Sequence, residues 1–147
     1  MTEELDAIVF DVGGTLLDMK PTRPDVYAKV LRANGFKASS TVLSEAIRKT
    51  DRTLDEQFAK LEGEENSASW KKFNRLVLEA IGFEGDLDHM HQALMDEFNG
   101  FMPKVETWVD YPETRGVLEE LRKRGFTLGV VSNATSLVKR VLDNLDL

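Results

Sequence analysis

Short continuous apolar runs alternate along the chain with longer stretches in which apolar residues recur every three or four positions. The run at residues 7–10 is too short for a helix and is bounded by Asp and Gly, so it predicts a β-strand. A continuous apolar run is typical of a parallel-sheet strand that is buried on both faces. A second run, at residues 126–131, predicts a second strand of the same kind.

Residues 19–105, between these two runs, show the helical period instead. Helices are predicted to begin near residues 24, 39, 67 and 86, where Pro, Ser, Thr or Asp occurs. Gly35, Gly63 and Gly82 are the expected ends of the first three, because glycine readily adopts the left-handed conformation that closes a helix. Four amphipathic helices joined by short loops predict a small helical bundle.

The last part of the chain returns to an alternation of helix and strand. A helix is expected from Pro112 to Gly125, then the second strand, and then a final helix that carries Leu137, Val138, Val141 and Leu142. The order strand, insertion, helix, strand, helix predicts an α/β fold. Residues 1–18 and 106–147 are therefore expected to form a partial α/β core, and residues 19–105 an inserted helical domain.

Polar side chains follow both predicted strands. Asp11 comes directly after the first strand, and Ser132 and Asn133 follow the second. Ligands of open α/β sheets bind outside the carboxyl ends of the strands, so these residues are expected to serve one site. The cluster at residues 132–135 is also an ordinary N-cap for the last helix. Both interpretations hold together, because a helix N-terminus with a free hydroxyl also binds phosphate.

The loop after the first strand suits an attack on phosphorus. Gly13 and Gly14 carry no side chain, so amide N–H groups can turn toward an anion, and Thr15 can hydrogen-bond the Asp11 carboxylate. A carboxylate beside such donors combines a nucleophile with charge stabilisation. Because Asp and phosphate repel each other, a hard cation is expected as well, and Mg²⁺ fits best. The alternative is an Asx-turn, in which Asp11 caps the loop and does no chemistry.

Composition narrows the function classes. Apolar residues make up 41% and charged residues 31%, as in ordinary globular proteins, and the net charge of −7 argues against nucleic-acid binding. The absence of cysteine excludes disulfides and thiolate chemistry. No signal peptide or membrane-length apolar run is present, so a cytoplasmic location is expected. His89 and His91 face different sides of a helix and are interpreted as surface residues rather than a metal pair.

Two stretches resemble motifs of a known family. Residues 8–18, with the sequence IVFDVGGTLLD, resemble the first motif of the haloacid dehalogenase-like (HAD) hydrolases, and residues 130–133, VVSN, resemble the second. The helical insertion is similar to the α-helical cap found at that point in a subfamily with many small-molecule phosphatases. The resemblance implies a Rossmann-like parallel-sheet core and a phosphatase that acts on a small phosphorylated metabolite with Mg²⁺.

The resemblance also implies a role for each residue of the site. Asp11 would form an aspartyl-phosphate and ligate Mg²⁺, with the backbone carbonyl of Gly13 as a second metal ligand. Thr15 and Ser132 would position the nucleophile and the phosphate. The residues implied in phosphate binding are Gly13, Gly14, Ser132 and Asn133.

Two departures from the family pattern qualify this reading. Family phosphatases carry an acid–base Asp two residues after the nucleophile, where this chain has Gly13. That leaves open a dehalogenase or phosphonatase type of reaction, or a non-catalytic binding or regulatory module. The family's third-motif Lys and fourth-motif acidic pair follow the second motif, but the sequence stops at Leu147. We therefore expect a truncated form without turnover, whose open sheet edge favours self-association or a missing C-terminal segment.

Overall fold

The chain folds into two units, an α/β unit and a helical unit. The α/β unit comprises Met1–Lys20 and Phe101–Leu147, and the helical unit comprises Pro21–Gly100. The structure is a computed structural model that describes residues 6–58, 66–132 and 137–147. The boundaries differ slightly from the predicted 18/19 and 105/106, because Met19 still pairs in a strand and the Thr107 hydroxyl bonds the Phe101 carbonyl oxygen.

A parallel strand pair forms the centre of the α/β unit. Strand β1 (Ala7–Phe10) pairs in parallel with β4 (Thr127–Val130) along its whole length. Helix α5 (Thr114–Lys123) leads into β4, and α6 (Leu137–Leu145) follows it. Both predicted strands and both predicted helices are present, and the α/β fold class is confirmed.

A second strand pair was not predicted. Strand β2 (Leu17–Met19) pairs antiparallel with β3 (Trp108–Asp110), which a short 3₁₀ helix (Val105–Thr107) precedes. Each of these strands has three residues, which is too short to show an alternating pattern in the sequence. The helical unit is inserted between these two strands of the chain.

Four helices make up the described part of the helical unit, as predicted. A capping box starts the first, because Thr22 and Asp25 exchange backbone and side-chain hydrogen bonds and a proline follows the cap. Gly35 and Gly82 have positive φ just beyond the ends of the first and third helices. The predicted helix end at Gly63 lies outside the described residues. The helices are α1 (Arg23–Ala33), α2 (Ser40–Phe58), α3 (Asn66–Ala80) and α4 (Leu87–Phe101).

The core of the helical unit is large and fully enclosed. Side chains from all four helices are buried, including Val26, Leu31, Leu43, Val77, Leu78, Met90, Leu94 and Phe98. None of the described helices has the length and apolar character needed to cross a lipid bilayer.

A buried polar network connects three helices of this unit. The Tyr27 hydroxyl of α1 donates to Asn74 Oδ1 of α3, and Asn74 Nδ2 lies 2.9 Å from His91 Nδ1 of α4. Tyr27 and Asn74 are completely buried. His91 is half-buried, which corrects its interpretation as a surface residue. Burial lowers the pKa of His91, as does the nearby charge of Lys71, whereas Asp88 raises it.

The α/β unit has a smaller core, which covers one face of its parallel strands. Leu118 of α5 and Val141 of α6 pack with Phe10 of β1 on this face. On the other face, Val9 is 61% and Val131 64% exposed. The prediction that both strands are buried on two faces is therefore wrong, because the described helices of this unit pack on one side of the pair.

Candidate active site

The loop between β1 and β2 is a tight turn that its own backbone holds together. The carbonyl oxygen of Val12 accepts hydrogen bonds from the amides of Leu16 and Leu17, at 2.9 and 3.0 Å. The Val12 side chain is 3% exposed and anchors the turn in the core. Asp11, one residue earlier, is exposed at the carboxyl end of β1.

Gly14 gives the turn its conformation. Its φ is +79°, in the region that favours glycine, and its N–H donates to the Leu17 carbonyl oxygen at 2.8 Å. The sequence suggested that this amide faces an anion. In the structure this amide instead donates a hydrogen bond within the turn. Gly14 therefore contributes the backbone conformation of the loop.

The Asp11 carboxylate is oriented by a neighbour in the same loop. The Thr15 hydroxyl donates to Asp11 Oδ2 at 3.0 Å, as the sequence suggested it can. Both side chains are exposed, so the pair is accessible from solvent. A hydrogen bond to one carboxylate oxygen limits the rotation of the side chain and thereby restricts the directions in which the other oxygen can point.

The end of the loop is fastened to α5. The Leu16 carbonyl oxygen accepts a hydrogen bond from the Thr114 hydroxyl at 2.9 Å and from the Tyr111 amide at 3.2 Å. Thr114 is 3% exposed, so this anchor is shielded from water. The sequence reasoning missed both residues. The one available signal was a threonine at the start of a predicted helix, which is more often read as part of a helix cap.

The second predicted motif lies beside the loop. The Val131 amide donates to the Phe10 carbonyl oxygen at 2.9 Å, which extends the parallel pairing past the end of β4. Asp11 and Ser132 therefore follow neighbouring strands at the same edge. Ser132 and Gly13 line one cavity of about 60 Å³, whose other walls are apolar. The structure thus brings Gly13 and Ser132 together, whereas the predicted site residue Asn133 lies outside the described residues.

The donors for a metal ion are few. Among the described residues, no group of three His, Asp or Glu side chains is placed to hold a metal. The Asp11 carboxylate and the Gly13 carbonyl are hard oxygen donors, the type that Mg²⁺ prefers. Mg²⁺ commonly uses one or two carboxylates and completes its shell with water and substrate phosphate, so the chemistry of these donors fits the ion.

A wider cleft of the α/β unit lies elsewhere. It has a volume of about 610 Å³ and lies between residues 103–106 and the C-terminal half of α6. No predicted site residue lines it. The predicted site residues therefore lie on an open loop beside a small cavity and not in this cleft.

Comparisons with known proteins bear on the family. A family model described as haloacid dehalogenase-like hydrolase matches residues 5–147. A comparison with curated proteins finds no significant match.

Solved structures share the fold. A protein from Clostridium difficile described as a phosphatase superposes with a TM-score of 0.53 at 22% identity, over 99% of this chain and 57% of the other. A predicted phosphoglycolate phosphatase from Haemophilus somnus 129pt gives a TM-score of 0.52 at 15% identity, over 98% and 59%. The chain thus spans about three-fifths of the length of the structures it matches.

The family model covers nearly the whole chain, and the motif-bearing loop, the second motif and the inserted helices occur in the order that the sequence predicted. The chain belongs to the haloacid dehalogenase-like hydrolases.

Proposed function

We propose that this chain supplies the nucleophile and the phosphate-binding loop of a phosphatase-type hydrolase that acts on a small phosphorylated metabolite. Asp11 is the nucleophile, and the helical unit is its cap. The observation that carries the proposal is the hydrogen bond from Thr15 to Asp11, within a turn whose two ends are anchored in the core. In an Asx-turn the Asp11 carboxylate would accept the backbone N–H of residue 13, whereas in the structure Asp11 Oδ2 accepts from the Thr15 hydroxyl.

The proposed reaction begins with attack by an Asp11 oxygen on phosphorus. Thr15 holds the carboxylate in one orientation, which lowers the entropy cost of reaching the attack geometry. The Ser132 hydroxyl, on the neighbouring strand end, donates to a phosphoryl oxygen and stabilises the charge that develops there.

We propose Mg²⁺ as the cofactor, with the Asp11 carboxylate and the Gly13 carbonyl as its protein ligands. The ion would offset the repulsion between the carboxylate and the phosphoryl oxygens. The net charge of −7 makes such compensation more important, since the chain as a whole repels anions.

Beryllofluoride, which mimics the aspartyl-phosphate, tests the proposal without requiring turnover. With Mg²⁺ present, it should raise the melting temperature of the chain, and a concentration of about 100 times Kd corresponds to about 2.7 kcal/mol of stabilisation. Asp11→Asn should abolish the shift, because beryllofluoride binds to a carboxylate oxygen. Thr15→Ser keeps the hydroxyl and should retain more of the shift than Thr15→Val. An equal shift in the wild type and in Asp11→Asn would contradict the proposal.

Turnover by the 147-residue chain alone is expected to be negligible. In the part of the chain that the structure describes, no group of three His, Asp or Glu side chains is placed to hold a metal, and Gly13 cannot act as a general base on water. Purified chain should therefore release no more than about one equivalent of p-nitrophenol from p-nitrophenyl phosphate. Sustained Mg²⁺-dependent hydrolysis that is lost in Asp11→Asn would refute this expectation.

A non-catalytic phosphoryl-binding or regulatory module is the second candidate function. The observation that favours it is the same glycine at position 13. Such a module would bind beryllofluoride and Mg²⁺ reversibly but would show no transfer of a phosphoryl group to Asp11 from any donor.

A further inference from the structure

The described structure gives no steric reason for a glycine at position 13. Unlike Gly14, it does not have a positive φ. A Cβ atom built on it would meet no described atom within 4 Å, apart from its chain neighbours. Neither the backbone angles nor the neighbouring atoms exclude a Cβ atom at this position, so the fold does not require a glycine here.

The other polar side chains of the loop and the adjacent strand pair do not replace the missing acid. The Thr15 hydroxyl is already donated to Asp11. Asp18 Oδ1 accepts from the Met19 amide at 2.8 Å, and Asp110 forms an ion pair with Arg115 at 2.7 Å. Thr and Ser hydroxyls are too weakly acidic to protonate a leaving group at neutral pH.

The pKa of the leaving group then decides which substrates can react. An alkyl phosphate must expel an alkoxide, which needs a proton from a general acid. An acyl phosphate expels a carboxylate, whose conjugate acid has a pKa of about 4 and which is stable without a proton. General acid–base help is typically worth about 10² to 10⁴ in rate, so its absence penalises the alkyl class selectively.

We propose that the Asp11 site takes acyl phosphates as its phosphoryl donors. The inference rests on the proposed function, since it requires Asp11 to be the nucleophile. In the reaction, an Asp11 carboxylate oxygen forms a bond to phosphorus, and the bond from phosphorus to the acyl oxygen breaks. The electron pair of that bond stays on the departing carboxylate, and no proton moves.

The same glycine affects the second half-reaction. Hydrolysis of the aspartyl-phosphate requires a base to activate water, and position 13 has no side chain to do so. The phosphorylated form of the chain therefore accumulates, and the reaction with an acyl phosphate is stoichiometric.

The first experiment follows phosphorylation of the full chain by intact-mass spectrometry in the presence of Mg²⁺. Acetyl phosphate should add one phosphoryl group to the wild type, whereas glycerol phosphate should add none in the same time. Asp11→Asn should take up no phosphoryl group from either donor. Equal rates with the two donors would overturn the inference.

Because acyl phosphates are intrinsically more reactive, a pair of variants separates the site's preference from that reactivity. Gly13→Asp carries a carboxyl group at this position, and Gly13→Asn has the same size without an acid. With glycerol phosphate, Gly13→Asp should react about 10² to 10⁴ times faster than Gly13→Asn, while the two should react equally with acetyl phosphate. Equal rates of the two variants with glycerol phosphate would contradict the role assigned to Gly13.

Beryllofluoride binding by the same samples distinguishes a failure of the inference from a failure of the proposed function. If beryllofluoride gives no thermal shift in the wild type, both the proposed function and the inference are wrong. A normal shift with no phosphorylation by acetyl phosphate would overturn the acyl phosphate inference alone. The thermal shift also shows that each position-13 variant is folded before its rates are compared.

Discussion

The helical unit buries its apolar side chains much more completely than the α/β unit does. In the helical unit, large side chains such as Leu31, Leu94 and Phe98 have at most 1% of their surface exposed. In the α/β unit, the buried cluster has five members, and Val9 and Val131 are more than half exposed. Parallel strands are normally covered on both faces, so the exposed face is the exceptional feature.

The dense core and the proposed chemistry therefore belong to different units of this chain. The helical unit contains the dense core and the buried polar network, and the α/β unit contains the exposed carboxylate and the glycine turn. The two tryptophans lie in different units, Trp70 in the helical unit and Trp108 in the α/β unit. Single-tryptophan variants, Trp70→Phe and Trp108→Phe, therefore allow the unfolding of each unit to be followed by fluorescence.

Truncation of a core leucine should show the largest difference. Leu94→Ala should cost about 3–5 kcal/mol in the helical unit, because its surroundings are closed and a cavity remains. Leu118→Ala should cost about 2–3 kcal/mol in the α/β unit, because Leu118 already borders a cavity of about 210 Å³. Urea unfolding of both variants measures the two costs. A greater loss for Leu118→Ala would reverse the comparison.

The buried network should show the next largest effect. Tyr27→Phe removes the hydroxyl that donates to Asn74 Oδ1 and leaves that atom buried without its donor, at a cost of about 1–3 kcal/mol. Thr53→Ala is the control, since its exposed hydroxyl bonds a carbonyl of its own helix and should matter by less than about 0.5 kcal/mol. Equal losses of unfolding free energy in the two variants would show that burial does not determine how much each hydrogen bond contributes to stability.

Substitution of the two glycines of the site loop by alanine should affect the stability of the α/β unit differently. Gly14→Ala should destabilise the α/β unit by about 1–2 kcal/mol, because φ is +79° there. Gly13→Ala should be neutral or stabilising by up to about 1 kcal/mol, since its backbone and surroundings accept a side chain. Thermal unfolding followed through Trp108 measures both. Destabilisation by Gly13→Ala as large as that of Gly14→Ala would show that the turn needs both glycines.

The smallest expected effect is a pH dependence confined to the helical unit. Since the pKa of His91 is lowered from 6.5 by folding, the unfolded chain binds the proton more readily. The contribution of neutral His91 to the stability of the helical unit should be fully present above pH 6.5 and be lost progressively as the pH falls below it. His91→Gln should flatten this dependence, whereas His89→Gln, which changes an exposed side chain, should leave it intact. A dependence that survives in His91→Gln would assign it to another group.

Local patterns predicted the elements well and missed what depends on three-dimensional context. The apolar run at residues 7–10 predicted β1, and Gly35 and Gly82 predicted the ends of α1 and α3, because both signals are contained in a few adjacent residues. Burial of Val9 was wrongly predicted, since it depends on what packs against the second face. The bond from Asn74 to His91 joins two helices and leaves no trace in the spacing of either residue.

The candidate site shows the same limit. Asp11, Thr15 and Ser132 could be predicted as site residues from sequence because a motif names residue types at fixed spacing. The anchoring of Leu16 by Thr114 could not be found, since 98 residues separate the two along the chain. The use of the Gly14 amide inside the turn also required coordinates, because a glycine pair is equally compatible with an amide that faces an anion.

The most direct test of the account is to locate the phosphoryl group on the chain. After exposure to acetyl phosphate and Mg²⁺, reduction with borohydride converts an aspartyl-phosphate to homoserine, and peptide mapping identifies the position. We expect homoserine at position 11 in the wild type and none in Asp11→Asn. A phosphoryl group on Thr15, on Ser132 or on any other residue, with position 11 unmodified, would contradict it.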